Sequence, residues 1–177
     1  MDKLEALGKR ICIIGATSSG KSTLAQKLSN KLNIKKLVHL DIIAHYPNSN
    51  WQRTPIEDFI IKHNENLKYE EWIIEGNYSV CMSNRFKEST AIIWLDYNPF
   101  YCVYNFIKRC FQDSSKRIGE VEGAPEKINI KRIKHTLFQY PKNRHKYKEI
   151  ISNFSDTPVI YINSMKELSL FCKRLDL

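Results

Sequence analysis

Gly15-Ala16-Thr17-Ser18-Ser19-Gly20-Lys21-Ser22 is the stretch on which the fold turns. It satisfies the pattern G-x-x-x-x-G-K-[ST] at every position, and its neighbours give the pattern meaning. Before it, Arg10-Ile11-Cys12-Ile13-Ile14 is an apolar run of buried-strand character; after it, Leu24, Ala25, Leu28 and Leu32 recur at helical spacing. Between a strand and a helix, successive backbone N–H groups of such a loop point inward. With the positive end of the helix they wrap an anionic phosphate chain. Gly15 and Gly20 permit torsions and a close approach that a β-carbon would block. Lys21 is placed to reach the β- and γ-phosphates, and the Ser22 hydroxyl to ligate Mg²⁺. Gly15, Ala16, Thr17, Ser18, Ser19, Gly20, Lys21, Ser22 and Thr23 are therefore the candidate residues for binding a nucleoside triphosphate.

The rest of the chain alternates strand and helix patterns, with no internal repeat. Leu37-Val38-His39-Leu40-Asp41 reads as a second strand ending in an acid, followed by a polar, turn-rich stretch over 44–53. Thr54-Pro55-Ile56-Glu57 carries an N-cap, a proline at the first helical position and an acid at the third, predicting a helix to about residue 66. Trp72-Ile73-Ile74 is a third strand closed by Glu75, and 91–95 a fourth closed by Asp96. Helices are predicted from Pro99 to Gln112, near 127–139 and near 141–152. Pro158-Val159-Ile160-Tyr161-Ile162 is a fifth strand, and Ser164 with Glu167 is a capping box opening the last helix. This alternation predicts an α/β fold of three layers, α/β/α, around a parallel sheet, as a single domain over 1–177. Ligands of such sheets bind at the carboxyl ends of the strands, so Asp41, Glu75 and Asp96 are expected near the glycine loop.

Bulk composition fits that reading. With 177 residues, 42% hydrophobic and 27% charged, the chain is long enough for one substantial core. Five cysteines, odd in number and without a C-x-x-C pair, point to reduced core thiols. Met1-Asp2-Lys3-Leu4-Glu5 has no apolar signal core and no stretch is long enough to span a bilayer, so a cytoplasmic protein without a membrane partner is expected. The net charge is +9, and residues 127–148 hold eight Lys/Arg and no acid. Such a block serves a nucleic-acid footprint, the cationic wall of a phosphate-transfer site, or a solvated helix face, and charge alone does not decide. Oligomeric state leaves no mark in the sequence.

Phosphoryl transfer needs definite parts, and the chain has a candidate for each. Ser22 and Glu75 are the candidate metal ligands. Asp41 is the candidate base for an acceptor hydroxyl. A short lid loop over 113–126, flanked by Arg109, Lys116, Arg117 and Arg132, offers cations for the transferred group, with Arg117 and Arg132 as the catalytic pair. Asp96, close before Pro99, is expected to cap the following helix. The 41–70 region is the expected acceptor side, where Trp51 and Arg53 are candidate contacts.

Together the glycine loop, the His39-Leu40-Asp41 strand end, Trp51, Thr54-Pro55, Trp72-Ile73-Ile74-Glu75-Gly76-Asn77-Tyr78, Leu95-Asp96, Glu122-Gly123-Ala124-Pro125-Glu126-Lys127 and Tyr140-Pro141-Lys142 resemble the bacterial DNA topology modulation proteins. The resemblance covers roughly residues 9–174. It implies an adenylate-kinase-like, nucleoside-monophosphate-kinase-like P-loop fold with strand order 2-3-1-4-5, ATP with Mg²⁺, and kinase activity on a small acceptor. Glu75 stands where that family usually has Asp, the same charge one methylene further out. Adenylate kinases place an arginine shortly after the glycine of the third-strand block. Here Gly76 is followed by Asn77, Tyr78, Ser79 and Val80, and the nearest arginine is Arg85. A strict AMP acceptor is thus not expected; Gly76, Asn77 and Tyr78 offer hydrogen bonds and a ring to a less charged one. The alternative expectation is a nucleotide-dependent DNA- or RNA-binding regulator that uses the basic 127–148 segment.

Overall fold

The computed structural model describes residues 4–111, 118–123 and 127–177. Five strands, β1 (Arg10–Gly15), β2 (Leu37–His39), β3 (Trp72–Glu75), β4 (Ala91–Leu95) and β5 (Val159–Ile162), form one sheet in the order β2-β3-β1-β4-β5. Every pairing is parallel. The α/β class, the parallel sheet and its strand order agree with expectation. β1 lies at the centre, and Ile11, Cys12, Ile13 and Ile14 are fully buried, as a strand covered on both faces requires.

Helices α1 (Lys21–Leu32), α2 (Leu40–Ala44), α3 (Ile56–Leu67), α4 (Met82–Glu88), α5 (Pro99–Cys110), α6 (Ile130–Lys134), α7 (Tyr140–Ser152) and α8 (Met165–Leu175) cover it. α1 packs on β1, β2 and β3 and is tied to the end of α8 by Lys31 Nζ donating to Asp176 at 2.7 Å. α4 packs on β1 and between α3 and α7. Because β2 lies to one side of β1 and β4 to the other, the connections diverge at the carboxyl end of β1, the crevice where open parallel sheets take ligands. Among the described residues no helix is long and apolar enough to cross a membrane. All five cysteines are free thiols, with Cys12, Cys81 and Cys102 buried.

Several elements depart from the expected ones. β2 stops at His39, so Asp41 lies in the first turn of α2 rather than at a strand end. α3 starts after Pro55 with no side-chain cap, and the Thr54 hydroxyl donates instead to Ile43 O at 3.3 Å. α4 has no counterpart in the sequence reading. It is a seven-residue helix that buries Met82, Arg85 and Phe86 on one stripe, too short for its periodicity to stand out. The two helices expected on either side of residue 140 run on as one, joined by a π-helical turn, His135–Gln139, just before Pro141. Proline has no N–H to donate to the preceding turn, and a locally widened turn accommodates the missing bond without ending the helix. At α8 Ser164 caps Glu167 N as expected, but Glu167 reaches back to Asn163 N at 2.8 Å, one residue beyond the usual box partner.

Candidate functional site

The 15–22 loop leaves β1 and enters α1 through Gly20, whose φ of +90° is a conformation that glycine adopts freely. A β-carbon built there would meet nothing within 4 Å, so Gly20 is needed for its torsion and not, as expected, for a close approach. Ser19 is 1% exposed, yet its hydroxyl has no hydrogen-bond partner among the described residues, and neither does that of Ser18. An unpaired buried hydroxyl is costly, by about 1–3 kcal/mol, and both hydroxyls are free to bond a polar ligand atom that reaches the loop. Lys21 Nζ folds back to donate to Ala16 O at 2.9 Å, poised beside the loop.

One residue of the third-strand block clamps this loop from outside. Asn77 Oδ1 accepts from Gly15 N at 2.9 Å and its Nδ2 donates to Gly15 O. The carboxamide expected to meet an acceptor is thus committed to the loop backbone. The Gly76–Tyr78 segment is held in turn by the buried Arg85, whose Nη2 donates to Gly76 O at 2.7 Å and Nη1 to Tyr78 O at 3.3 Å.

Ser22 and Glu75 meet as the sequence predicted: Ser22 Oγ donates to Glu75 Oε1 at 3.0 Å. A third group joins them that the sequence reading did not single out. His39 Nδ1 lies 2.9 Å from the same Oε1. The cause is register, since His39 pairs with Glu75 across β2 and β3, and in-register residues of parallel strands project to the same face. Burial opposes the charge of Glu75, but the bonds from His39 and Ser22 and the nearby Lys21 ammonium outweigh it and hold the carboxyl below its usual range. Glu75 is thus an ionised carboxylate in a nearly closed setting. Among the described residues no group of three or more His, Cys, Asp or Glu could hold a metal unaided. The Ser22 hydroxyl and the Glu75 carboxylate could serve a hard cation such as Mg²⁺, which needs few protein ligands because it keeps several waters.

Across the crevice, Tyr78 OH donates to Asp41 Oδ1 at 2.6 Å, and Asp41 O accepts from His45 Nδ1 at 2.8 Å. Burial and the adjacent Asp41 charge push the Tyr78 phenol well above its ordinary range, so it is a permanent donor. Its ring packs on Phe59 at 4.8 Å rather than standing free. Arg53 is exposed and makes no hydrogen bond or ion pair among the described residues. Trp51 lies in a turn whose Asn48, Asn50 and Trp51 all have positive φ, +68° at the tryptophan. Its indole meets His45 edge-on at 5.2 Å and lies under the Arg132 guanidinium at 4.7 Å, which also overlies Phe106 at 5.5 Å. Trp51 is therefore a platform for Arg132. The 118–123 segment closes over this turn, with Asn48 N donating to Glu122 O at 2.6 Å.

Asp96 plays no capping role. Asn98 caps α5 by accepting from Phe100 N, while Asp96, 7% exposed, is bound by Arg144 Nη2 at 2.6 Å and by Tyr140 OH at 3.4 Å. Arg117, Lys116 and most of the expected lid lie outside the described residues.

Neither the protein-family models nor the curated proteins compared with the chain give a match. Among solved structures, the chain is similar to the crystal structure of an uncharacterized protein from Eubacterium ventriosum ATCC 27560. The identity is 16% and the TM-score 0.50, over 94% of this chain and 97% of that one. At that identity the likeness concerns the fold.

Proposed function

We propose that this protein is a Mg²⁺-dependent P-loop phosphotransferase, adenylate-kinase-like, that moves the γ-phosphate of ATP to a small acceptor in the cytoplasm. The observation that carries the reading is the Ser22–Glu75 pair at 3.0 Å, beside a glycine loop with unpaired buried hydroxyls. The same loop fits a triphosphate: its N–H groups and Lys21, released from Ala16 O, would take the β- and γ-oxygens. Ser22 and Glu75 would hold Mg²⁺, which neutralises charge on the phosphate oxygens when bound.

On the other side Asp41, held by Tyr78 through one oxygen, keeps the other for an acceptor hydroxyl. As the acceptor oxygen bonds to the γ-phosphorus and the bond to the ADP oxygen breaks, the hydroxyl proton passes to Asp41. Arg132, held between Trp51 and Phe106, is a cation set in place before reaction, as electrostatic stabilisation of the transferred group requires. The resemblance to the DNA topology modulation proteins points the same way.

The nucleic-acid alternative draws on the 127–148 block, but its arginines are engaged inward: Arg132 on the two rings, and Arg144 on Asp96. The discriminating experiment measures ATP affinity and transfer together. Asp41→Asn should lower turnover while ATP affinity stays. If instead the Asp41→Asn protein is unimpaired and neutralising Lys131, Arg132 and Lys134 abolishes salt-dependent DNA or RNA binding, the kinase reading is wrong.

A further inference from the structure

We infer that His39 is a positioning residue for the metal end of the site, and that Gly119 seats the lid-side segment on its ring. The inference rests on the reading of Ser22 and Glu75 as Mg²⁺ ligands. Three observations carry it. First, His39 Nδ1 and Ser22 Oγ both lie on Glu75 Oε1, at 2.9 and 3.0 Å, and Oε2 accepts no hydrogen bond among the described residues. Two donors on one oxygen fix the rotation of the carboxylate and leave the other oxygen for a metal ion or its water. Second, the contact is built into the sheet, because His39 stands opposite Glu75 in the β2–β3 register. Both side chains are nearly closed off, 10% and 6% exposed, so the imidazole has little freedom to turn away.

Third, the face of the imidazole is covered by Gly119. A β-carbon there would lie 2.7 Å from His39 Nδ1, 3.0 Å from Cγ and 3.1 Å from Cε1, closer than packed side chains come. Gly119 also has φ of +75°. Three residues on, Glu122 O accepts from Asn48 N on the acceptor side. The 118–123 segment therefore spans the two halves of the crevice and rests on the one ring that orients Glu75. Seating of that segment and orientation of the metal-binding carboxylate are linked through a single contact. Partners that orient a metal-binding group commonly change metal affinity by about 10–100-fold when removed.

The choice of replacements follows from atom positions. Asn presents an amide nitrogen near the place of Nδ1, whereas the Gln amide extends toward the place of Nε2. The experiment titrates Mg²⁺ into protein with ATP at fixed concentration and reads nucleotide binding by calorimetry, beside ATP binding with chelator. His39→Ala should raise the Mg²⁺ midpoint by about 10–100-fold and leave metal-free ATP binding within about twofold. His39→Asn should return the midpoint to within about threefold of the parent, and His39→Gln should behave like the alanine variant. Gly119→Ala should shift the midpoint more with His39 present than in the His39→Ala background, where the collision with the ring has gone and only the strain of the positive φ remains.

An unchanged midpoint in a folded His39→Ala protein, or equal rescue by Asn and Gln, overturns the inference. Should the alanine variant fail to fold, the Asn–Gln comparison decides by the same criterion. If the parent protein itself shows no Mg²⁺-dependent ATP binding, the proposed function falls and this inference with it. A normal parent with an insensitive His39 overturns the inference alone.

Discussion

Replacing Asn77 by alanine separates two roles that this residue could have in the site. Its carboxamide makes both of its visible bonds to Gly15, accepting from the N–H at 2.9 Å and donating to the carbonyl. Removing it leaves two backbone groups of a buried residue without those partners. At about 1 kcal/mol for each neutral bond, the loss is about 2 kcal/mol. With a urea slope of about 2 kcal/mol/M for a domain of this size, the unfolding midpoint should fall by about 1 M. The melting temperature should fall by about 4–8 °C. The loop also loses an anchor, and re-ordering one residue at about 1–2 kcal/mol should weaken ATP binding about tenfold. Asn77→Asp keeps the acceptor but sets an anionic oxygen against Gly15 O, so it should be no better than alanine at neutral pH. The assays are urea unfolding and calorimetric ATP titration. An Asn77→Ala protein of parental stability and ATP affinity, with a raised KM for the acceptor alone, would refute the clamp.

Three other perturbations probe separate contacts of the fold. Trp51→Leu removes a cation–π platform worth about 0.5–2 kcal/mol, so turnover should fall by about 2–30-fold, and Trp51→Phe should retain most of it; kcat measured at saturating ATP decides. Asp96→Ala strands Arg144 and Tyr140; because Arg144 is 39% exposed and regains water, the loss should be about 2 kcal/mol, read from the urea midpoint. His63 is fully buried, and burial, with the Arg85 charge adding to it, depresses its imidazole to about 4 despite an opposing bond to Asn64. The unfolded chain therefore binds the proton more readily, and the stability this neutral histidine contributes is complete above about pH 6.5 and is lost as pH falls toward 4. His63→Gln should flatten stability against pH within that window, by up to a few kcal/mol at its acid end.

The parts of the site legible in the sequence were those carried by local order. The glycine loop announces itself because the strand before it and the helix after it adjoin it in the chain. Glu75 and Ser22 were readable as partners because each stands at a fixed offset from its own strand. His39 was not, because its role depends on the register between two strands whose paired residues lie 36 positions apart, Val38 against Ile74 and His39 against Glu75. Given the order in which β2 neighbours β3, the last residues of the two strands could have been set side by side, and that was the available signal. Asp96 was misread for a related reason: its partner Arg144 is 48 residues away on α7, while Asn98, nearer the helix, is the better-placed cap. Trp51 and Asn77 were assigned to an acceptor because polar and aromatic groups beside a strand end suit a ligand. Their contacts within the fold, with Arg132 and Gly15, are brought by tertiary packing that no local pattern encodes.

The most direct measurement is transfer of label from γ-labelled ATP with Mg²⁺ to a panel of nucleosides, nucleoside monophosphates and small alcohol metabolites, with Lys21→Ala run in parallel. The expected result is a labelled product that depends on one class of acceptor and disappears in the variant. Tight Mg²⁺–ATP binding with no labelled product from any acceptor on the panel would contradict it.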